Sequence, residues 1–150
     1  MKHRGIVSNW MPVIAWMVLI FVGSSDVLSA EHTSRFIVPF LHWLDPTMSP
    51  ATIASVHMAI RKLGHFSEYA ILATLIWRGF RGTLSISGVL LALCAFITAA
   101  VFAASDEFHQ SFIPTRTASV HDVIIDCTGA LFAVAVCALF AFRRRAAKAQ

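Results

Sequence analysis

From Leu84 to Ala104 the chain carries no charged side chain, and a second apolar run, Val120 to Phe142, is closed abruptly by Arg143-Arg144-Arg145. Each run is about as long as the roughly 20 residues that carry a helix across the hydrocarbon core of a bilayer. In that solvent every backbone amide and carbonyl must be satisfied within the segment, which dictates helices. Two further runs, about Trp10 to Leu28 and about Ala51 to Phe80, complete the pattern. The expected fold is therefore an all-α, four-helix transmembrane bundle. It forms one domain over residues 1–150, with spans at about 10–28, 51–80, 84–104 and 120–142. The composition agrees, at 57% hydrophobic and 13% charged, which is too apolar for a soluble domain of this size.

The first span is the shortest, and Pro12 is expected in its first turn, where a missing amide donor does no harm. A basic start and Leu28-Ser29-Ala30 before Glu31 also fit a cleaved signal peptide. Retention is preferred, because Leu28 is large for a cleavage site, and either outcome leaves the later topology unchanged. Between His32 and Asp45, Phe36, Ile37, Phe40, Leu41 and Leu44 recur at helical spacing. This suggests a short amphipathic helix in the membrane interface, with Trp43 at headgroup depth; an anchored surface loop is the alternative.

The net charge of +4 does not describe a nucleic-acid patch. The cations cluster beside the ends of apolar runs, at Lys2 and Arg4, Arg78 and Arg81, and Arg143 to Lys148. By the positive-inside rule this places both termini and the loop near Arg81 in the cytoplasm. The opposite, outward side then holds Asp26, Glu31, Asp45, Asp106, Glu107 and Asp122. Cys94, Cys127 and Cys137 lie within apolar runs, with no spacing that suggests a disulfide, a metal site or a redox pair.

That outward side gathers the chemistry. Lys62, His65, Glu68 and Tyr69 fall near the outer end of the second span. Asp106, Glu107, His109 and Gln110 lie at the end of the third, and Asp122 and Asp126 at the start of the fourth. Arg61 or Lys62, His65 and Glu68 or Tyr69 are three or four apart and share a helix face, as do Asp122 and Asp126. Asp106, His109 and Gln110 would share one if the helix continues past Ser105. Ionisable groups at the bilayer edge are costly and usually pair, face a wet cavity and mark function. Lys62 with Glu68 and Arg116 with Asp122 are the pairs expected if the cluster merely locks helix ends together. Gly129 with Ala133 reads as a helix-packing contact, and His57 and His121 as interfacial.

The stretch Arg61-Lys62-Leu63-Gly64-His65-Phe66-Ser67-Glu68-Tyr69, then Ser105-Asp106-Glu107-Phe108-His109-Gln110 through Arg116, then Asp122 to Gly129, resembles the VanZ-like family of small membrane proteins. The resemblance runs from about the first span onward. It implies Lys62, His65, Tyr69, Asp106, Glu107, Gln110, Arg116 and Asp122 as the family's characteristic positions. Asp126 departs from the pattern, which more often has asparagine there. The resemblance also implies a bacterial cytoplasmic (inner) membrane, a link to the cell envelope and, for the founding member, low-level resistance to the glycopeptide teicoplanin. It implies no established reaction.

Two classes of function remain open from the residues. In one, the site acts at the outer leaflet on a lipid or lipid-linked envelope precursor. His65, Glu68, Asp106, Glu107 and Asp122 then supply acid and base, with Glu68 or Glu107 as base and His65 or His109 as relay. Lys62, Tyr69, His109, Gln110, Arg116 and Asp126 bind substrate, with Lys62 and Arg116 on a phosphate or carboxylate. In the other, the cluster is non-catalytic and serves as a binding or accessory site, a structural lock or a partner surface. The partners expected are membrane lipids and a lipid-linked precursor, not nucleic acid. No cofactor is specified: a divalent metal on His65, Glu68, Asp106, Glu107, His109 and Asp122 is admissible on ligand type alone, and haem is disfavoured. Transport is disfavoured because the third span carries no charge at midplane depth.

Overall fold

The computed structural model describes residues 2–25, 30–114 and 118–147. Every regular element among them is a helix: α1 (Lys2–Gly23), α2 (Ala30–Leu44), α3 (Pro50–Thr83), α4 (Val89–Gln110) and α5 (Val120–Ala146). Three of these, α1, α4 and α5, are long and apolar enough to cross a membrane, which makes the chain a multi-pass membrane protein. The expected count of four is corrected to three on this criterion. The helix that falls short is α3, because Arg61, Lys62, Glu68, Arg78 and Arg81 all lie along it.

α3 is nevertheless the axis of the bundle. It packs against α1, α2, α4 and α5, and its middle is the most deeply buried stretch of the protein, with Tyr69, Leu72, Ala73 and Ile76 fully enclosed. Its start is well defined. Pro50 occupies the first turn, where no amide is needed, and the Ser49 hydroxyl accepts from the Thr52 amide at 3.2 Å.

The helix boundaries differ from expectation at two spans. α1 begins at Lys2, so Pro12 lies well inside the helix instead of in its first turn. Proline has no amide hydrogen, which leaves the Ser8 carbonyl without its usual helical donor; the Arg78 guanidinium donates to that carbonyl at 3.4 Å. α1 ends at Gly23, and residues 26–29, the supposed continuation, lie outside the described residues. α4 starts at Val89, later than the apolar run, and continues past Ser105 to Gln110.

Small residues set how closely the helices approach. Ala95, Ala99 and Ala103 form a fully buried stripe along α4, and Gly129 of α5 lies against the backbone of Phe66. α1 is held antiparallel to α3. Trp10 crosses edge-on to Phe80 and donates to Thr83 Oγ1 at 3.3 Å. Trp16 donates to the Glu68 carbonyl at 2.9 Å, so it is a packing residue. α2 is the expected amphipathic helix, with Leu41 buried and Phe36, Phe40, Trp43 and Leu44 exposed. It ends in a turn where the Thr47 hydroxyl and amide donate to Asp45 at 2.7 and 2.9 Å. Those bonds hold the Asp45 carboxyl below its ordinary value. The three cysteines are free thiols, each partly buried.

Candidate functional site

At one end of the bundle, where α1 and α4 finish and α3 and α5 begin, the helices bring together a cluster of buried polar side chains. Asp106, Glu107, Gln110, Asp122 and Asp126 are all at or below 9% exposure, and Tyr69 is wholly buried. Unpaired charges in such a place are expensive, so their partners reveal how the cluster is built.

The α3–α5 seam carries two ion-pair contacts one turn apart. Lys62 Nζ contacts Asp122 Oδ1, and His65 Nδ1 lies 3.2 Å from Asp126 Oδ1. Parallel helices make this possible, since residues four apart on α5 meet residues three apart on α3. The expected pairing of Lys62 with Glu68 is thus replaced by pairing across the seam. The expected pairing of Arg116 with Asp122 cannot be placed, because Arg116 lies outside the described residues.

A second knot joins α1 to α4. Ser24 Oγ donates to Asp106 Oδ2 at 2.6 Å, and Gln110 Nε2 donates to the same oxygen at 3.0 Å and to Ser24 Oγ at 3.3 Å. Asp106 and Gln110 therefore do share a face, one helical turn apart. His109 turns instead toward α1, where its ring stacks on Phe21 with centroids 4.1 Å apart. Glu107 reaches forward to the start of α5, where its Oε1 accepts from the Ser119 amide. Ser119 in turn caps that helix by accepting from the His121 amide at 3.2 Å.

Among the described residues, four buried polar side-chain atoms have no hydrogen-bond partner: Tyr69 Oη, Asp106 Oδ1, Glu107 Oε2 and His109 Nδ1. Buried groups of this kind are rare enough to need an explanation, and a bound ligand or water is the common one. Beside the α3–α5 seam an open cavity of about 250 Å³ lies between α1, α2 and α3. Arg61, Gly64, His65 and Glu68 line it from α3, Ser24 from the end of α1, and Thr33 from α2. Its volume is close to the lower bound for small-molecule sites. Thr33 also joins His57, Oγ1 to Nε2, at 3.0 Å.

The structure thus brings together His65, Glu68, Asp106, Glu107, Asp122, Lys62, Tyr69, Gln110 and Asp126 at one end, with His109 beside them. Only His65 and Glu68 of this set reach the cavity wall. Among the described residues, no three His, Cys, Asp or Glu side chains are grouped to hold a metal ion: His65 turns to Asp126, Asp122 to Lys62, Asp106 to Ser24 and Gln110, and Glu107 to the Ser119 amide. Three contributors were missed in the sequence. Ser24 follows an apolar run with nothing to mark it, and Thr33 joins only through the docking of α2. Arg61 shares the His65 face, yet Lys62 was preferred as the cation. In the structure Lys62 is engaged by Asp122, while Arg61 lines the cavity and has no ion-pair partner among the described residues.

These features define a class: a small all-α, multi-pass membrane protein with a buried ionisable cluster at one end of its bundle. Residues 9–141 match the family model described as VanZ/LLP1, and the chain belongs to the VanZ-like family. No curated protein and no solved structure was found to match it.

Proposed function

We propose that this VanZ-like protein recognises the headgroup of a cell-envelope lipid, or of a lipid-linked envelope precursor, in the cavity beside His65, and handles a proton there. The observation that supports this most directly is the juxtaposition of Arg61, His65 and Glu68 on one cavity wall, with His65 backed by Asp126. A guanidinium is suited to a phosphate or carboxylate. An imidazole oriented by a buried carboxylate is suited to general acid–base work, and Glu68 is close enough in sequence register to share the task. Asp126 would act as a positioning residue, through His65.

In this reading α3 is a fourth span. Its charged side chains stop at Glu68 and resume at Arg78, leaving the stretch from Tyr69 to Trp77 without charge, and α1, α4 and α5 pack against α3. At roughly 50 Å, a helix of this length projects beyond both faces of the hydrocarbon core. The protein lies in the bacterial inner membrane with both termini cytoplasmic, following the arginines, and the cavity opens toward the outer leaflet.

The test is the envelope-lipid and precursor profile, with teicoplanin susceptibility, of cells lacking the native copy and carrying wild type, Arg61→Gln or His65→Gln. Each variant is checked for unchanged thermal unfolding in detergent. Both variants are expected to reproduce the profile of the empty strain while remaining folded. If both behave as wild type, the cavity reading fails. A second reading is favoured by the Lys62–Asp122 contact and the Glu107–Ser119 bond, which tie three helix ends together. It is a non-catalytic structural lock or partner site, and it predicts that Asp122→Asn destabilises the bundle while Arg61→Gln is silent.

A further inference from the structure

The opposite end of the bundle has a distinct chemistry. None of the chain's 8 acidic residues lies between Tyr69 and Ser105 or beyond Asp126, so the end where α3 and α5 finish and α4 begins contains cations alone. Between those three helices is a cavity of about 680 Å³. Arg81 of α3 and Arg144 and Arg145 of α5 line it, and its remaining wall is apolar, formed chiefly by Trp77, Leu91 and Phe142. None of these arginines has an ion-pair partner among the described residues. α1 does not cover the cavity, because Trp10 and Asn9 pack on Gly79 and Gly82 on another side of α3.

The start of α4 also contributes. Gly88, with φ of 64°, takes the capping position and offers no side-chain acceptor, so the first amides of a 22-residue helix are uncapped beside the three guanidinium groups. Such amides favour an anion. Leu90, Leu139 and Phe140, on the same two helices, are exposed. A soluble anion would gain nothing from the apolar lining of the cavity, whereas an amphiphile would lay its chains against it.

We infer that this basic cavity holds the phosphate of an anionic phospholipid from the leaflet at that end, with its acyl chains against the exposed apolar faces of α4 and α5. The guanidinium groups grip the phosphate oxygens through paired N–H donors, and the surrounding charge concentrates anionic lipid near the surface. The inference rests on α3 crossing the membrane, but not on the cavity beside His65 having any activity.

The experiment uses full-length protein in detergent micelles doped with phosphatidylglycerol or phosphatidylcholine, reading retained lipid by native mass spectrometry and the thermal midpoint. Wild type is expected to retain phosphatidylglycerol in preference to phosphatidylcholine and to melt higher in its presence. Arg81→Gln and Arg144→Gln should each weaken retention on the order of fivefold, the value of one surface cation. Arg143→Gln removes the same charge outside the cavity and should change nothing. Ala141→Trp fills the cavity without altering charge and should abolish retention. Equal weakening by Arg143→Gln, or undiminished retention by Ala141→Trp, would reduce the effect to diffuse surface charge and overturn the site. Displacement of the lipid by millimolar inorganic phosphate would assign the cavity to a soluble phosphate ligand instead.

Discussion

Gly129 is the residue that lets the acidic cluster assemble. A Cβ there would stand 2.9 Å from the Phe66 carbonyl carbon and 3.1 Å from its Cα, and backbone cannot yield as a side-chain tip would. Gly129→Ala is therefore expected to push α3 and α5 apart and cost about 1–3 kcal/mol, measured by reversible unfolding in mixed micelles. The neighbouring His65–Asp126 contact should loosen in parallel; a variant as stable as wild type would contradict the close approach. Much of the cluster's membership was legible at this scale, because helical spacing places His65 with Tyr69 and Asp122 with Asp126 on common faces. The partners were not legible. Lys62 chose Asp122 over Glu68 because parallel packing brings α5 across the seam, and no spacing within α3 contains that information.

Among the elements, α2 and α3 show opposite ways of placing charge. α2 buries little and packs chiefly on α3, while Phe36, at 79% exposed, and Trp43, at 77%, face outward. Such a face is stable only against lipid or another apolar surface. A Trp43→Cys variant in a background with Cys94, Cys127 and Cys137 replaced by alanine, labelled with an environment-sensitive fluorophore, should show blue-shifted emission quenched by shallowly labelled lipid. Emission like that of a water-exposed dye would remove α2 from the interface. The amphipathic spacing of α2 predicted this helix directly. The sequence pattern predicts α3 as a span, but its charges depress its apolarity below that of α1, α4 and α5. Several of those charges meet partners or cavities formed with neighbouring helices, Lys62 at Asp122, Arg61 beside His65 and Arg81 in the basic cavity, which a one-dimensional hydropathy reading does not contain. Similarly, Pro12 sits within α1 because Arg78 supplies the donor that proline lacks.

For the whole molecule, the governing feature is the one-sided placement of acidic side chains along the bundle axis. The carboxylates of the described residues gather at one end, with Arg61 and Lys62 among them, and the arginine cavity occupies the other. If α3 crosses the membrane, reporters fused within residues 85–87 and after residue 147 should fall on one side, with those at residues 46–49 and 112–114 on the other. Finding residues 46–49 and 85–87 on the same side would remove α3 as a span and, with it, the outward orientation of the His65 cavity. The sequence by itself determined that this is an all-α membrane protein, because long apolar runs have no other way to satisfy their backbone. It also determined that no acidic residue lies between Tyr69 and Ser105 or beyond Asp126. Only the tertiary structure decided which carboxylate meets which cation, that Arg61 instead of Lys62 lines a cavity, and that the arginines enclose a second one. Those outcomes depend on helix rotation and separation, set by Gly129, the alanine stripe of α4 and the tryptophans of α1 acting across helices far apart in the chain.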